Sequence, residues 1–348
     1  MAENTYYYKQ LDKEKQRAYH AIKTGLMALA PSFAVPKLDP RDLADIYFMV
    51  RMDNPEIFYT VKYSYRYYQQ ADNVELIPEY LFPKKQIVQH QEAMKARVAK
   101  LARQAQNLNE KEKEQYIHDF ICQNVRYDKL KKPYSHEIIG PLGHGVGVCE
   151  GIAKTVKILC DALGIWCIVA LCDNNPEKGI KYRHTWNVVR IGGTYYHLDV
   201  TFDNSLGSED MIRYDYYNLN DTLFFRDHEP VIWKLPACTD GDHFYYKEKK
   251  ISFTKMEEVA KRAEQYAKKG KVFLFHWRGG YLTKEVLGDL LELLGEAARK
   301  KGKYIKVSLN WPQSVLQVRF LEEESNDRVT MEEANEGEKW AESEDSNL

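Results

Sequence analysis

The stretch Gly147-Val148-Cys149-Glu150-Gly151-Ile152-Ala153-Lys154-Thr155-Val156-Lys157-Ile158-Leu159-Cys160-Asp161-Ala162-Leu163-Gly164 decides how this chain folds. Ile152, Val156, Leu159, Cys160 and Leu163 recur at offsets of 0, 4, 7, 8 and 11, the spacing of one buried helical stripe, which Gly164 ends. Cys149 therefore stands close to a helix N-terminus. Unpaired N–H groups there stabilise a thiolate by roughly 0.3–1 kcal/mol and face any oxyanion formed at the same spot. A thiol is a nucleophile only as thiolate, which calls for a base nearby, and an imidazole base calls for a carboxylate to hold its tautomer.

Both partners follow. His184 and Asp199 lie on two apolar segments joined by Gly192-Gly193, so nucleophile, base and orienting carboxylate come in chain order within about fifty residues. A Gly-Gly pair between alternating apolar runs predicts a two-residue hairpin that pairs Ile191 with Thr194, Trp186 with Asp199 and His184 with Thr201. In that register His184 and Asp199 are diagonal neighbours, about 7–8 Å apart at the backbone and within side-chain reach. Val189, Ile191, Leu198, Val200 and Phe202 share the other face, read as the core side. The face of His184, Trp186, His197 and Asp199 is then left for the Cys149 helix and a substrate. Taken singly, a helical Cys is more often a small apolar core residue and a strand His a hydrogen-bonded structural group. Chain order, helix-start position and shared face together favour a catalytic trio. His197 shares the face but lies nearer the turn, as the rival base or otherwise a supporting residue.

From about Tyr116 to Pro230, roughly a third of the chain, the sequence resembles the transglutaminase-like cysteine superfamily, as in bacterial transglutaminase-like domain proteins. The resemblance is carried by Tyr127-Asp128, Gly147-Val148-Cys149-Glu150-Gly151-Ile152-Ala153-Lys154, Leu163-Gly164-Ile165, His184-Thr185-Trp186-Asn187 and Tyr195-Tyr196-His197-Leu198-Asp199-Val200-Thr201-Phe202-Asp203. It implies an α+β, papain-like core, with the Cys-bearing helix against an antiparallel sheet. It makes Cys149 the nucleophile, His184 the general acid/base and Asp199 the orienting carboxylate. Departures fall outside that triad: Ile152 where Tyr is common, Thr185 where a small apolar residue is common, and Phe202-Asp203-Asn204 where Trp-Asp-Asp is common. Tyr127 and Trp186 are candidates for a second oxyanion donor, and Asn187 and His197 for support around the triad.

The superfamily includes crosslinkers, cysteine peptidases, peptide N-glycanases and members without catalysis. The N-glycanase branch carries paired Cys-x-x-Cys zinc ligands, and this chain has no Cys-x-x-Cys. Arylamine N-acetyltransferases have Arg-Gly-Gly before the nucleophile, where this chain has Gly145-Val146-Gly147-Val148. What remains is acyl transfer on a peptide or carboxamide bond of a protein or peptide substrate through a thioester. Water as acceptor makes a peptidase or amidase, and an amine acceptor makes a transglutaminase-type enzyme. Hydrolysis is slightly favoured, because excluding water needs an enclosed amine tunnel that no sequence feature announces. The alternative from another class is a non-catalytic protein-interaction module on the same fold. Zinc held by Cys149, His144 and His184 is disfavoured by the lack of a closely spaced ligand pair, and no cofactor or metal is expected.

The 348 residues, 44% hydrophobic, suffice for several compact units and a sizeable core. Residues 1–105 read as an N-terminal α+β region, with a strand from Ile57 to Tyr67, a charged helix over Gln86–Asn107, and Asn109 capping the next helix. Residues 106–236 form the expected catalytic core. Residues 237–321 form a small α/β module of helices Glu257–Gly270 and Thr283–Lys301 and strands Lys271–Trp277, Tyr304–Asn310 and Val315–Leu321. It is read as a packing, recognition or partner-binding unit. From Glu322 on, eleven acids face only Arg328 and Lys339, a composition expected to stay disordered. The body ahead of this tail is modestly basic, without the interleaved basic and aromatic residues of a nucleic-acid surface. No run approaches the ~20 apolar residues of a membrane span. The first residues are a poor signal peptide, so six free cysteines in a reducing cytoplasm are expected, unless a leader has been removed.

Overall fold

The computed structural model describes residues 5–178, 180, 183–208, 211–324 and 329–332. The N-terminal region folds as α1 (Lys13–Met27), β1 (Phe33–Pro36), α2 (Pro40–Asp53), β2 (Thr60–Arg66) and β3 (Asn73–Tyr80), with the strands in the antiparallel order β1-β3-β2. The long helix α3 (Lys84–Ala105) and α4 (Glu110–Asn124) follow. Asn109 and Glu112 close a reciprocal capping box at the start of α4, which satisfies two N–H groups that the helix leaves open.

The central unit begins with β4 (Arg126–Tyr127) paired in parallel to β5 (Val146–Gly147), and α5 (Cys149–Leu163) follows directly. The strands β6 (Trp166–Cys172), β7 (His184–Ile191), β8 (Thr194–Leu198) and β9 (Tyr217–Leu219) form an antiparallel sheet in that order. Gly192 and Gly193 both have positive φ, 59° and 87°, the conformation a two-residue hairpin of this twist requires. Ile191 pairs with Thr194 and Asn187 with Leu198, as the Gly-Gly turn dictates. Beyond Leu198 the expected pairing stops. Asp199 is the N-cap of α6 (Val200–Leu206) and its side chain accepts the Phe202 N–H, so Thr201 is helical and does not face His184. An Asx cap competes well with one more strand pair.

The sheet is covered on both faces, which overturns the expected assignment of faces. Val189, Ile191, Tyr196 and Leu198 pack with Ile152, Ala153 and Val156 of α5, in a core that also holds α1 to α4 and extends from Tyr7 to Tyr217. The helix bearing Cys149 thus lies on the apolar face, and residues 1–105 share its core. The opposite face, with Trp186 and Val188, packs against Phe224 of α7 (Asp221–Phe224), Tyr246 of α8 (Tyr245–Glu248) and Val315. Alternation could not separate these faces, because each is apolar and buried.

The C-terminal unit places α9 (Met256–Lys269) and α10 (Lys284–Arg299) with a mixed sheet of order β10-β11-β13-β12-β14. Its strands are β10 (Ser252–Phe253), β11 (Phe273–Trp277), β12 (Tyr304–Asn310), β13 (Val315–Leu321) and β14 (Val329–Glu332). Within the segment expected as a disordered tail, β14 pairs in parallel with β12, and Glu332 accepts from the buried Arg213 at 2.7 Å. A buried guanidinium needs such a partner, and one charge pair outweighs the acidic composition locally. The rest of that tail, 325–328 and 333–348, lies outside the described residues. All six cysteines are free thiols, and among the described residues no helix is long and apolar enough to cross a membrane.

Candidate active site

Cys149 is the first residue of α5, and the preceding N-cap, Val148, makes no side-chain cap. A loop holds this helix start in place. Asp128 accepts the N–H groups of Leu130 and Lys132 and the hydroxyl of Ser135, while the Ser135 carbonyl accepts the Val148 N–H at 3.0 Å. That carbonyl lies so close to α5 that a Cβ on Gly151 would sit 2.2 Å from it. Only glycine lets the loop and the helix meet there. Tyr127-Asp128 and Cys149-Glu150-Gly151 are thus two halves of one contact.

Glu150, next to Cys149 in the chain, belongs to a buried charge cluster. Glu150 accepts from Arg51 at 3.0 Å, from Lys154 at 2.7 Å and from His136 at 3.3 Å. The buried Glu137 accepts from Lys154 at 2.8 Å and also from Arg51. Burial pushes the Glu150 carboxyl up, but the charges of Lys154 and Arg51 outweigh it and hold the group well below the usual carboxylate range. Arg51 comes from α2, so the N-terminal region holds the Glu150 carboxylate, which itself adjoins Cys149.

Cys149 lines a cavity of about 540 Å³ together with Tyr127, Phe48, Leu171, His136 and Thr185, with Lys131, Asp173 and Arg183 also in its wall. The buried Thr185 hydroxyl has no hydrogen-bond partner among the described residues. His184, between Arg183 and Thr185, is the first residue of β7 and pairs with Cys172 of β6. Its Nε2 donates to Asp199 Oδ2 at 2.6 Å, with both residues buried. The expected contact between His184 and Asp199 is therefore present. It forms from a strand end to a helix cap, not across a strand pair. Burial alone would raise the Asp199 carboxyl. The His184 charge, together with hydrogen bonds from His184 and His228, holds it well below its ordinary value.

The other expected residues are differently placed. Trp186 is buried on the far face of the sheet, and its Nε1 donates to His197 Nδ1 at 3.1 Å. Its N–H is thus committed away from an oxyanion, which corrects that expectation. His197 directs Nε2 to Asp221 at 2.8 Å, and burial lowers its pKa. It is a packed partner of Trp186, and its carboxylate is Asp221. Asn187 donates to the Ala153 and Ile168 carbonyls at 2.9 and 3.2 Å, tying β7 to α5. His144 packs against Tyr134, with ring centroids 4.6 Å apart and the planes tilted by 37°.

Among the described residues, two groups bring candidate ligand atoms within 4.8 Å of one another, His184 with Asp199 and His228, and His197 with Asp221 and Cys238. In each, histidine-to-carboxylate hydrogen bonds account for the close approach, and they read as hydrogen-bonded clusters. Sequence reasoning missed His228, His136, Arg51 and Glu137, which are remote in the chain from the residues they touch. The legible clue was Lys154, a lysine inside the buried helix that Cys149 opens, which must find carboxylates.

The family described as the transglutaminase-like superfamily matches residues 96–200 in its core domain, a span that includes Cys149, His184 and Asp199. No curated protein matches the chain. Among solved structures, one described as a TGase is 12% identical, covering 41% of this chain and 44% of its own with a TM-score of 0.27. Another, provisionally described as a cysteine protease from Cytophaga hutchinsonii, is 16% identical, covering 40% of this chain and 62% of its own with a TM-score of 0.26. This chain therefore spans less than two thirds of the length of either. Residues 96–200 belong to the transglutaminase-like superfamily.

Proposed function

We propose that this protein is a cysteine-nucleophile acyltransferase acting on carboxamide or peptide bonds of a protein or peptide. Cys149 would be the nucleophile, His184 the general acid/base and Asp199 the orienting carboxylate. The observation that carries the reading is the buried 2.6 Å contact of His184 Nε2 with Asp199, flanked by residues of the cavity into which Cys149 opens. With Nε2 held by the carboxylate, Nδ1 is the nitrogen that exchanges a proton with the thiol.

His184 takes the Cys149 proton, and the thiolate attacks the carbonyl carbon. The oxyanion rests on the helix-start N–H groups, with the Tyr127 or Thr185 hydroxyl as second donor. His184 then protonates the leaving amine or ammonia as the C–N bond breaks, which yields a thioester. Water or an amine, deprotonated by His184, attacks the thioester and releases the thiol. Lys131, Asp173 and Arg183 make part of the cavity wall polar, which suits water as the acceptor and favours hydrolysis over transfer to an amine.

Incubation with an unfolded, glutamine-rich protein and a fluorescent primary amine separates the outcomes. We expect ammonia release or new amino termini that vanish in Cys149→Ala, with amine incorporation the minor product. Dominant incorporation would make the enzyme a transamidase. Equal products from wild type and Cys149→Ala would remove the catalytic reading and leave a binding module.

A further inference from the structure

The hydrogen bonds of Asp199 do not stop at His184. The same oxygen, Oδ2, also accepts from His228 Nε2 at 3.0 Å. His228 Nδ1 in turn meets Asp227 Oδ1 at 3.0 Å. Asp227 also accepts from the Tyr216 hydroxyl at 2.6 Å and from Gln313 Nε2 at 3.2 Å. Gln313 sits in the turn between β12 and β13, where Asn310 Oδ1 accepts its N–H. A continuous chain of buried and half-buried polar groups thus runs from the triad carboxylate into the C-terminal unit.

The ring of His228 has little freedom. Phe224 stacks on it at 3.7 Å, and Phe202 and Trp186 lie 4.7 and 5.4 Å away. Both of its nitrogens face carboxylates, which are acceptors only, so each must carry a proton. The charged or titratable groups facing it are Asp199, Asp227, His184, His197 and Tyr216. With Phe202 N–H on Oδ1 and two imidazoles on Oδ2, the Asp199 carboxylate is held on both oxygens and cannot turn away from His184.

We propose that His228 is a positioning residue that locks the Asp199 carboxylate onto His184, and that Asp227 and Gln313 anchor it to the C-terminal unit, making that unit part of the active site. The inference rests on the triad reading given above. It also assigns the C-terminal unit a role that its sequence, lacking any catalytic constellation, did not suggest.

Two amide variants of the full-length protein separate positioning from mere stability. A Gln at 228 reaches the place of Nε2 and can still donate to Asp199, whereas an Asn reaches only that of Nδ1 and serves Asp227 alone. The readout is the rate of Cys149 alkylation by iodoacetamide against pH, which needs no substrate. At pH 6 we expect His228→Asn to react about ten- to a hundredfold more slowly than wild type, the scale of one charge-assisted hydrogen bond. His228→Gln should recover to within about threefold. Its upper titration step should move to higher pH, because a positive charge near the His184 imidazolium is gone. Equal profiles for Asn, Gln and wild type, while His184→Ala has lost its low-pH reactivity, would overturn the inference and leave the triad standing. If His184→Ala also keeps low-pH reactivity, the triad reading fails and this inference with it.

Discussion

Asp199→Asn is expected to lower turnover by about 10³–10⁴-fold, the scale on which a wrongly set histidine tautomer disables a catalytic triad. An amide cannot satisfy this site in either orientation. With its oxygen toward the Phe202 N–H, its NH2 faces the Nε2 atoms of His184 and His228, both of which donate to Asp199 in the native arrangement. His184 must then carry its proton on Nδ1, where it cannot accept one from the thiol. With the oxygen toward the imidazoles, the NH2 opposes the Phe202 N–H and the cap of α6 is lost. The second orientation costs about 0.5–2 kcal/mol, so the first is expected to dominate. Stability should also change its dependence on pH. Because folding holds the Asp199 pKa below its unfolded value, its contribution is present above about pH 4 and is lost as the pH falls further. Urea unfolding between pH 7 and pH 3 should therefore show a shallower acid decline in Asp199→Asn. Turnover within tenfold of wild type would show that the carboxylate does not set the tautomer.

Much of this site can be read from sequence because its members are local to two elements. The stripe from Ile152 to Leu163 sets α5, and Gly192-Gly193 fixes the register as far as Asn187 with Leu198, one residue short of Asp199. Reading failed where the decision lay in tertiary context. Alternation marks a face as apolar but does not say which layer covers it, so α5 was assigned to the wrong side of the sheet. Asp199 looked like one more strand residue, although an Asp followed by a helix start is a cap. His228 carries no signal in Asp227-His228-Glu229, and only the fold brings it to Asp199.

Arg51→Leu is expected to destabilise the protein by about 3–5 kcal/mol, the cost of removing one partner from a buried ion cluster. Glu137 is fully buried and Arg51 nearly so, and without the guanidinium only Lys154 faces both Glu137 and Glu150 among the hydrogen bonds described. Two carboxylates cannot both stay ionised beside one buried cation, so one must take up a proton or the region must open to water. Arg51→Lys should lose less, because an ammonium keeps the charge but not the reach with which Nη2 touches both acids. Since Glu150 adjoins Cys149, the Leu variant should also slow thiol alkylation. Denaturant midpoints for the three proteins measure the effect. A loss below about 1 kcal/mol in Arg51→Leu, the range of an exposed pair, would show that water screens the cluster and that the N-terminal region is not part of the site's framework.

The central claim, a thiol activated by His184, is tested most directly by the rate of Cys149 alkylation with iodoacetamide from pH 5 to pH 10, mapped by mass spectrometry. At pH 6 an ordinary thiol with a pKa near 8.5 is only about 0.3% thiolate. A thiol paired with imidazolium should therefore react about thirty- to a hundredfold faster there, after allowance for the lower nucleophilicity of a weaker base. His136 faces the same cavity but is held by Glu150, so His136→Gln serves as the control. The account predicts fast labelling of Cys149 at pH 6 in wild type and His136→Gln, and its loss in His184→Ala. A single titration near pH 8.5 in all three proteins would contradict it.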